Sequence, residues 1–144
     1  MGLADKLFNM KNEKAEKNKK EGEEFLAKNK LRAEVVTLPS GLQYEIMKEG
    51  TGAKPTARQT VTCHYHGTLI NGTVFDSSVQ RGQPASFPLN QVISGWTEAV
   101  QLMPVGSKWK LFLAPDLAYG NQQAGQHIGP QTTLIFEVEL LGIK

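Results

Sequence analysis

The sequence predicts an α+β domain in which an antiparallel sheet covers one short helix. Three observations carry this. From Leu42 onward, apolar and polar residues alternate with a period of two in several runs, the signature of half-buried strands. One segment, Asn90–Met103, departs from that rule. Its Val92, Ile93, Trp96, Ala99, Val100 and Met103 recur at spacings of three, four and seven, a helical stripe. The strands are joined by hairpin signals, of which Asn71-Gly72 is the strongest. One helix among hairpin-linked strands buries its stripe most simply under an antiparallel sheet.

Residues 1–34 differ from the rest. Leu3, Leu7 and Met10 form a small apolar edge, and the run KNEKAEKNKKEGEE between Lys11 and Glu24 carries five Lys and five Glu. Glu13–Lys17 and Glu16–Lys20 are i,i+4 pairs in the favourable order. Phe25, Leu26 and Leu31 supply a second apolar patch. The expectation is a solvated, charged helix. Its alternative is a helix that docks or self-associates through Leu3, Leu7 and Met10.

Leu38-Pro39-Ser40-Gly41 is a turn by composition. Leu42, Tyr44 and Ile46 then alternate with polar neighbours, and Gly50-Thr51-Gly52 with Pro55 breaks the pattern. Gln59–Leu69 is a second strand, with Val61, Cys63 and Tyr65 on one face and Thr62, His64 and His66 on the other. Thr73–Asp76 returns beside it and presents Phe75, and Ser77–Pro84 reads as loop. Ala85–Leu89 is an edge segment, because Pro88 cannot donate to a ladder. The helix follows, with Asn90 as its expected N-cap and Pro104 as its stop. Ser107–Ala114 is a strand with Trp109, Leu111 and Leu113 on one face. Asp116–Pro130 is a long loop rich in Gly and Gln, a length usually retained for function. Gln131–Leu141 is the last strand, with Leu134, Phe136, Val138 and Leu140 inward.

Composition excludes several functions. The 144 residues suit one domain with an appendage. A net charge of +2, with lysines matched by glutamates in the N-terminal run, gives no nucleic-acid arm. The single cysteine, Cys63, permits no intrachain disulfide. No apolar run approaches the ~20 residues of a membrane span. The N-terminus lacks the apolar core of a signal peptide, and Lys6 stands where a myristoylation signal wants Ser or Thr. The expected location is therefore cytoplasmic.

Catalytic dyads are absent from the pattern. Asp5, Asp76 and Asp116 are the only aspartates, and no carboxylate pair, phosphate loop, nucleophile elbow or zinc signature occurs. His64 and His66 share a strand face but lack a third ligand, so they read as histidines on a solvated face, and no metal is expected. What remains is a set of aromatics: Tyr65, Phe75, Phe87, Trp96, Tyr119 and Phe136. They read either as plain core or as a ligand pocket. Asp76 beside Phe75, and Tyr119 within the long loop, favour the pocket.

Several motifs then occur together and in order: Val61–Gly67, Gly72–Ser78, Arg81-Gly82-Gln83-Pro84, Gln91-Val92-Ile93 leading to Gly95-Trp96, Met103–Gly106, Ala118-Tyr119-Gly120 and Leu134–Leu141. In these, Leu38 to Lys144 resembles the FKBP-type peptidyl-prolyl isomerases. Glu21–Lys30 is similar to the bacterial subgroup related to macrophage infectivity potentiators. The resemblance implies a half-barrel sheet wrapped around the Trp96 helix, with residues 1–34 as a charged helical extension and 35–144 as the isomerase domain. It implies a prolyl pocket with Trp96 as floor and Tyr65, Phe75, Phe87, Val92, Ile93 and Phe136 as walls. Asp76 would pair with Arg81 and face the substrate amide. The Tyr119 hydroxyl and the Ile93 N–H would be donors, and Ile128 would lean over the site. The implied partners are proline-containing polypeptides and macrolide immunophilin ligands, with no cofactor. A non-catalytic peptide-binding or chaperone module is the alternative, and pairing through residues 1–34 is the candidate oligomeric contact. Two positions depart from the family pattern. Ala85 replaces a common aromatic at the rim, and Gly129 is expected to make its loop more mobile.

Overall fold

The computed structural model describes residues 2–144, with side chains described outside residues 4–11. Helix α1 spans Leu3–Asn29, followed by strands β1 (Val35–Thr37), β2 (Gln43–Lys48), β3 (Thr60–Leu69) and β4 (Val74–Ser77). Then come the one-turn helix α2 (Ser78–Arg81), β5 (Ala85–Pro88), α3 (Ser94–Val100), β6 (Lys108–Leu113) and β7 (Leu134–Ile143). All strands form one antiparallel sheet of order β1-β2-β6-β7-β3-β4, with β5 also on β3. This is the expected α+β fold.

Alternation decides which face closes on α3. Val61, Cys63, Tyr65 and Gly67 of β3, and Leu134, Phe136, Val138 and Leu140 of β7, are buried, while their neighbours are half-exposed. Trp96, Ala99, Val100 and Met103 meet them from the helix side and complete one core. Register shifts at Ile46/Lys48, Thr62/Cys63 and Gly67/Thr68 add local twist, which lets the sheet bend round a single helix. Gly95 permits the close approach of α3: a Cβ there would lie 2.6 Å from Leu113 Cδ2 and 2.9 Å from the Leu117 carbonyl oxygen. Cys63 is fully buried, and burial pushes its thiol up to about 12.

Local chemistry defines one expected turn and corrects two other expectations. The Asn71-Gly72 hairpin forms, with a three-residue loop: the Gly72 N–H donates to Leu69 O and Gly72 takes φ 92°. That is a type I turn closed by a left-handed residue, the three-residue form of the hairpin that the strand bounds Gln59–Leu69 and Thr73–Asp76 leave room for. Ser77–Pro84 is not all loop. The Ser77 hydroxyl accepts from the Gln80 N–H and Gly82 closes the turn at φ 73°, so α2 forms between them. Asn90 is not the N-cap of α3. It lies in a 3-10 turn, Leu89–Gln91, and the helix starts at Ser94 with Ile93 as cap residue. The Thr97 hydroxyl, donating 2.6 Å to Leu89 O, ties that turn to the helix.

The largest correction concerns α1. A solvated helix is expected, yet Ala15, Asn18, Gly22, Phe25, Leu26 and Asn29 form a half-buried to buried stripe at spacings of one, three and four. Phe25 packs on Phe112, ring centroids 6.1 Å apart, and Phe112 is 1% exposed although it points away from Leu111 and Leu113. Gln43 donates to the Leu26 carbonyl at 3.0 Å and accepts from the Asn29 amide at 2.8 Å. Helix α1 therefore covers the outer face of the sheet. Among the described residues the docking runs through Gly22, Phe25 and Leu26; of the expected Leu3, Leu7 and Met10 edge, Leu3 is exposed, and the side chains of Leu7 and Met10 lie outside the described residues. Neither expected Glu–Lys pair closes among the described residues. Lys17–Glu21 does, at 4.0 Å and largely in water, where it contributes little.

Gly22 is the point of closest approach, since a Cβ there would fall 2.2 Å from Thr133 Oγ1. In a free helix Gly→Ala stabilises by about 0.8–1.0 kcal/mol. Here Gly22→Ala is expected to destabilise, by about 1–3 kcal/mol of overpacking. Urea unfolding checks the sign.

Candidate active site

Three rings stand almost upright around the Trp96 indole. Tyr65, Phe87 and Phe136 meet it at interplanar angles of 79°, 84° and 87°, with centroids 5.5, 5.7 and 5.3 Å away. Phe75 extends the wall, edge to Phe136 at 5.4 Å and 89°. Edge-to-face rings at these distances attract one another, so the arrangement is self-supporting. A flat indole with perpendicular rings makes a cup. It encloses a cavity of 320 Å³, rimmed by Val92, Ile93, Asp76, Tyr119 and Gln91. Trp96 is only 4% exposed, because it forms the base.

The fold places each ring for a simple reason. Tyr65 and Phe136 sit on inward positions of adjacent strands, β3 and β7, while Phe75 comes from β4 and Phe87 from β5. Gly67 leaves room between them: a Cβ there would lie 2.5 Å from Phe75 Cζ and 2.9 Å from Phe136 Cε1. Gly67→Ala is expected to drive both rings into the cup. It should cost about 1–3 kcal/mol of stability and narrow the cup, read by denaturation and by the shift of the Trp96 ring resonances.

Polar groups meet at one side of the rim. The Tyr65 hydroxyl donates to Asp76 Oδ2 at 2.7 Å, and Arg81 Nη2 donates to the Tyr65 oxygen at 2.8 Å. Arg81 Nη1 also pairs with Asp76 Oδ1. The Arg81 guanidinium lies 5.6 Å from the Tyr65 ring centre. Helix α2 delivers Arg81, and the buried Ser78 hydroxyl fastens α2 to β3 by accepting from the Tyr65 N–H at 2.7 Å. Burial pushes the Asp76 carboxyl up, but hydrogen bonds from Tyr65 and Arg81 and the charge of Arg81 outweigh it. The net shift is downward, so Asp76 is a carboxylate. Burial, then the bond to Asp76, raises the Tyr65 phenol and keeps it a donor.

Two donors remain uncommitted. The Tyr119 hydroxyl, on a side chain 38% exposed, has no hydrogen-bond partner among the described residues, and neither has the Ile93 N–H. Nine of the eleven sequence-predicted residues thus line the cup: Tyr65, Phe75, Asp76, Phe87, Val92, Ile93, Trp96, Tyr119 and Phe136. Arg81 touches two of them from outside. Ile128 does not line it. The 124–128 segment folds back, with the Ala124 N–H donating to Ile128 O and Gly125 at φ 65°, and Ile128 turns into the core at 5% exposure. Gly129 is buried too. A Cβ there would lie 3.2 Å from Lys14 Cε and 3.3 Å from Asn18 Nδ2, so this glycine allows helix contact and is not an exposed hinge. Sequence reasoning missed Gln91 as a rim residue and Gly67 as a spacer. Gly67, an inward glycine on a central strand, was a usable signal.

A second cavity, of 370 Å³, lies on the opposite sheet face between His64, His66, Lys108, Glu137 and Glu139. It has no aromatic wall. Nor do the described residues hold three ligating side chains arranged for a metal ion.

An aromatic cup between an antiparallel sheet and a short helix defines the class. The chain belongs to the FKBP-type peptidyl-prolyl cis-trans isomerase family, whose pattern matches residues 51–141. Residues 1–46 match the domain amino-terminal to FKBP-type peptidyl-prolyl isomerase. Among individual relatives, the chain is 56% identical over 133 residues to Outer membrane protein MIP of Legionella longbeachae, covering 92% of this chain and 57% of that one. It is 59% identical over 130 residues to the isomerase FkpA of Aeromonas hydrophila, covering 90% and 48%. The crystal structure of FkpA from Escherichia coli superposes with a TM-score of 0.90 at 40% identity, over 94% of this chain and 63% of that one. A peptidyl-prolyl cis-trans isomerase from Pseudomonas syringae gives 0.83 at 42% identity, over 90% and 96%. The chain spans about half the length of the curated relatives it matches.

Proposed function

We propose that this chain accelerates cis/trans rotation about Xaa-Pro bonds in unfolded or flexible polypeptides. The observation that carries the reading is the cup: an indole floor, upright ring walls and unpaired donors at the rim. A peptide bond resists rotation by ~18–20 kcal/mol because resonance gives C–N double-bond character. Before proline the two isomers are close in free energy but exchange in tens to hundreds of seconds. The planar amide is more polar than the twisted one, so removing water favours the twist. Contacts shaped for the twisted form add binding that the planar form does not receive.

In this reading the prolyl ring sits on Trp96, between Tyr65, Phe75, Phe87, Val92, Ile93 and Phe136. Asp76, held by Tyr65 and Arg81, faces the substrate amide. The Tyr119 hydroxyl and the Ile93 N–H donate to substrate carbonyls. No covalent intermediate is needed. Macrolide immunophilin ligands would compete for the same cup. Residues 35–144 form the isomerase unit and 1–34 its helical extension.

The cytoplasmic expectation finds no support among the relatives, one of which is named an outer membrane protein. An extracytoplasmic role is the better reading. Among the described residues no helix is long and apolar enough to cross a membrane.

The test is refolding of a protein limited by a proline isomerisation phase. Catalytic amounts should shorten that phase, and Tyr119→Phe should shorten it less. An unchanged phase, with aggregation still suppressed, would replace the enzyme by a chaperone or peptide-binding module.

A further inference from the structure

We infer that Asn18, on α1, is a positioning residue for Tyr119 at the rim of the cup. The inference rests on the role proposed above for the Tyr119 hydroxyl. It starts from one backbone feature. Among the described residues Gln131 is the only non-glycine residue at positive φ, 54°. A glutamine side chain seldom adopts that conformation, and it persists only where the surroundings over-determine it.

The surroundings are specific. Asn18 Nδ2 donates to Pro130 O at 2.9 Å and lies 3.4 Å from Thr132 Oγ1. The Thr132 hydroxyl donates to Gly129 O at 2.9 Å. One amide therefore clamps both sides of Gln131. The Gln131 N–H in turn donates to Gly120 O at 2.7 Å, and the Gly120 N–H to Pro115 O at 2.7 Å. Gly120 is itself at φ 59° and directly follows Tyr119. A continuous path of hydrogen bonds thus runs from the helix, through the turn 129–132, to the residue beside Tyr119. Asn18 is half-buried against this turn, and one helical turn further on Gly22 packs against Thr133, so the helix is seated where the amide acts. A solvated helix face would have no use for an asparagine at this register. Loss of its donor frees the Pro130 carbonyl, relaxes Gln131 and lets the backbone at Tyr119 wander.

The experiment uses the full chain. Asn18→Asp keeps the shape but removes the amide donor, and Asn18→Ala, a better helix former, repeats the test should the aspartate disturb the helix. Two quantities are read: Gln131 amide hydrogen exchange, and kcat/KM for a proline peptide in wild-type and Tyr119→Phe backgrounds. Gln131 should exchange about ten-fold faster or more, with Val138 in β7 unchanged. The kcat/KM should fall about three- to thirty-fold in the wild-type background. It should fall no further once Tyr119 is phenylalanine, because the effect passes through that hydroxyl. An equal loss in both backgrounds, or unchanged Gln131 exchange, overturns the inference. If the wild-type chain does not catalyse at all, the proposed function fails. Gln131 exchange and the Tyr119 ring resonances then decide the positioning role alone.

Discussion

Trp96→Ala is expected to destroy the site and to cost about 3–5 kcal/mol of folding free energy, the range for removing a buried large aromatic. Trp96 touches three rings edge-on and is 4% exposed, so its loss removes both the floor and the contact that holds the walls upright. With a domain stability of roughly 5–15 kcal/mol, a folded fraction should survive at low temperature. In that fraction kcat/KM should fall at least about 100-fold, or ~2.7 kcal/mol of transition-state binding. Circular dichroism and exchange kinetics on the same sample separate the two losses. A folded variant with near-normal kcat/KM would show that the indole is core and nothing more.

Asp76→Val is the second large effect. The carboxylate accepts from Tyr65 and pairs with Arg81, so its removal leaves a half-buried phenol and a guanidinium without their acceptor. Water takes over the exposed Arg81 guanidinium, but leaving the Tyr65 hydroxyl without its acceptor costs about 1–3 kcal/mol, or roughly 5- to 150-fold in kcat/KM if the cost falls on the transition state. Acid should mimic it. The Asp76 carboxyl has its folded pKa below the ordinary value. Its stabilising contribution is therefore complete above the unfolded pKa of ~3.9 and is lost as pH falls through the lower folded value. The raised Tyr65 phenol keeps its proton at alkaline pH. The pH–rate profile for a peptide without ionisable groups should be flat from about pH 5 to 9 and fall only below about 4. In Asp76→Val that acid limb should vanish, a difference that stopped-flow measurements across pH would detect.

The inward faces of β3 and β7 were legible because alternation is a local property: Val61, Cys63 and Tyr65, or Leu134, Phe136 and Val138, need no knowledge of partners. The Trp96 stripe was legible for the same reason. What stayed hidden depended on contacts distant in sequence. Phe112 reads as a misplaced apolar residue on a polar face until Phe25 covers it. Asn18 and Gly22 look like ordinary members of a charged helix, because their partners Pro130 and Thr133 lie more than a hundred residues away. β1 was missed because three residues, Val35–Thr37, are too few to display a period. Ile128 was expected over the site, but nothing in a Gly- and Gln-rich loop reveals that Ala124 and Ile128 will pair and turn it inward. Asn90 had the composition of a cap without the geometry, which the 3-10 turn took over.

Two-dimensional exchange NMR on a short Xaa-Pro peptide, with and without a stoichiometric macrolide immunophilin ligand, tests the central claim most directly. Uncatalysed exchange in such a peptide takes tens to hundreds of seconds. With catalytic amounts of the chain, exchange cross-peaks should appear within about a second, and filling the cup with the macrolide should abolish them. Exchange no faster than in buffer, or acceleration that persists while the Trp96 cup is occupied, would contradict it.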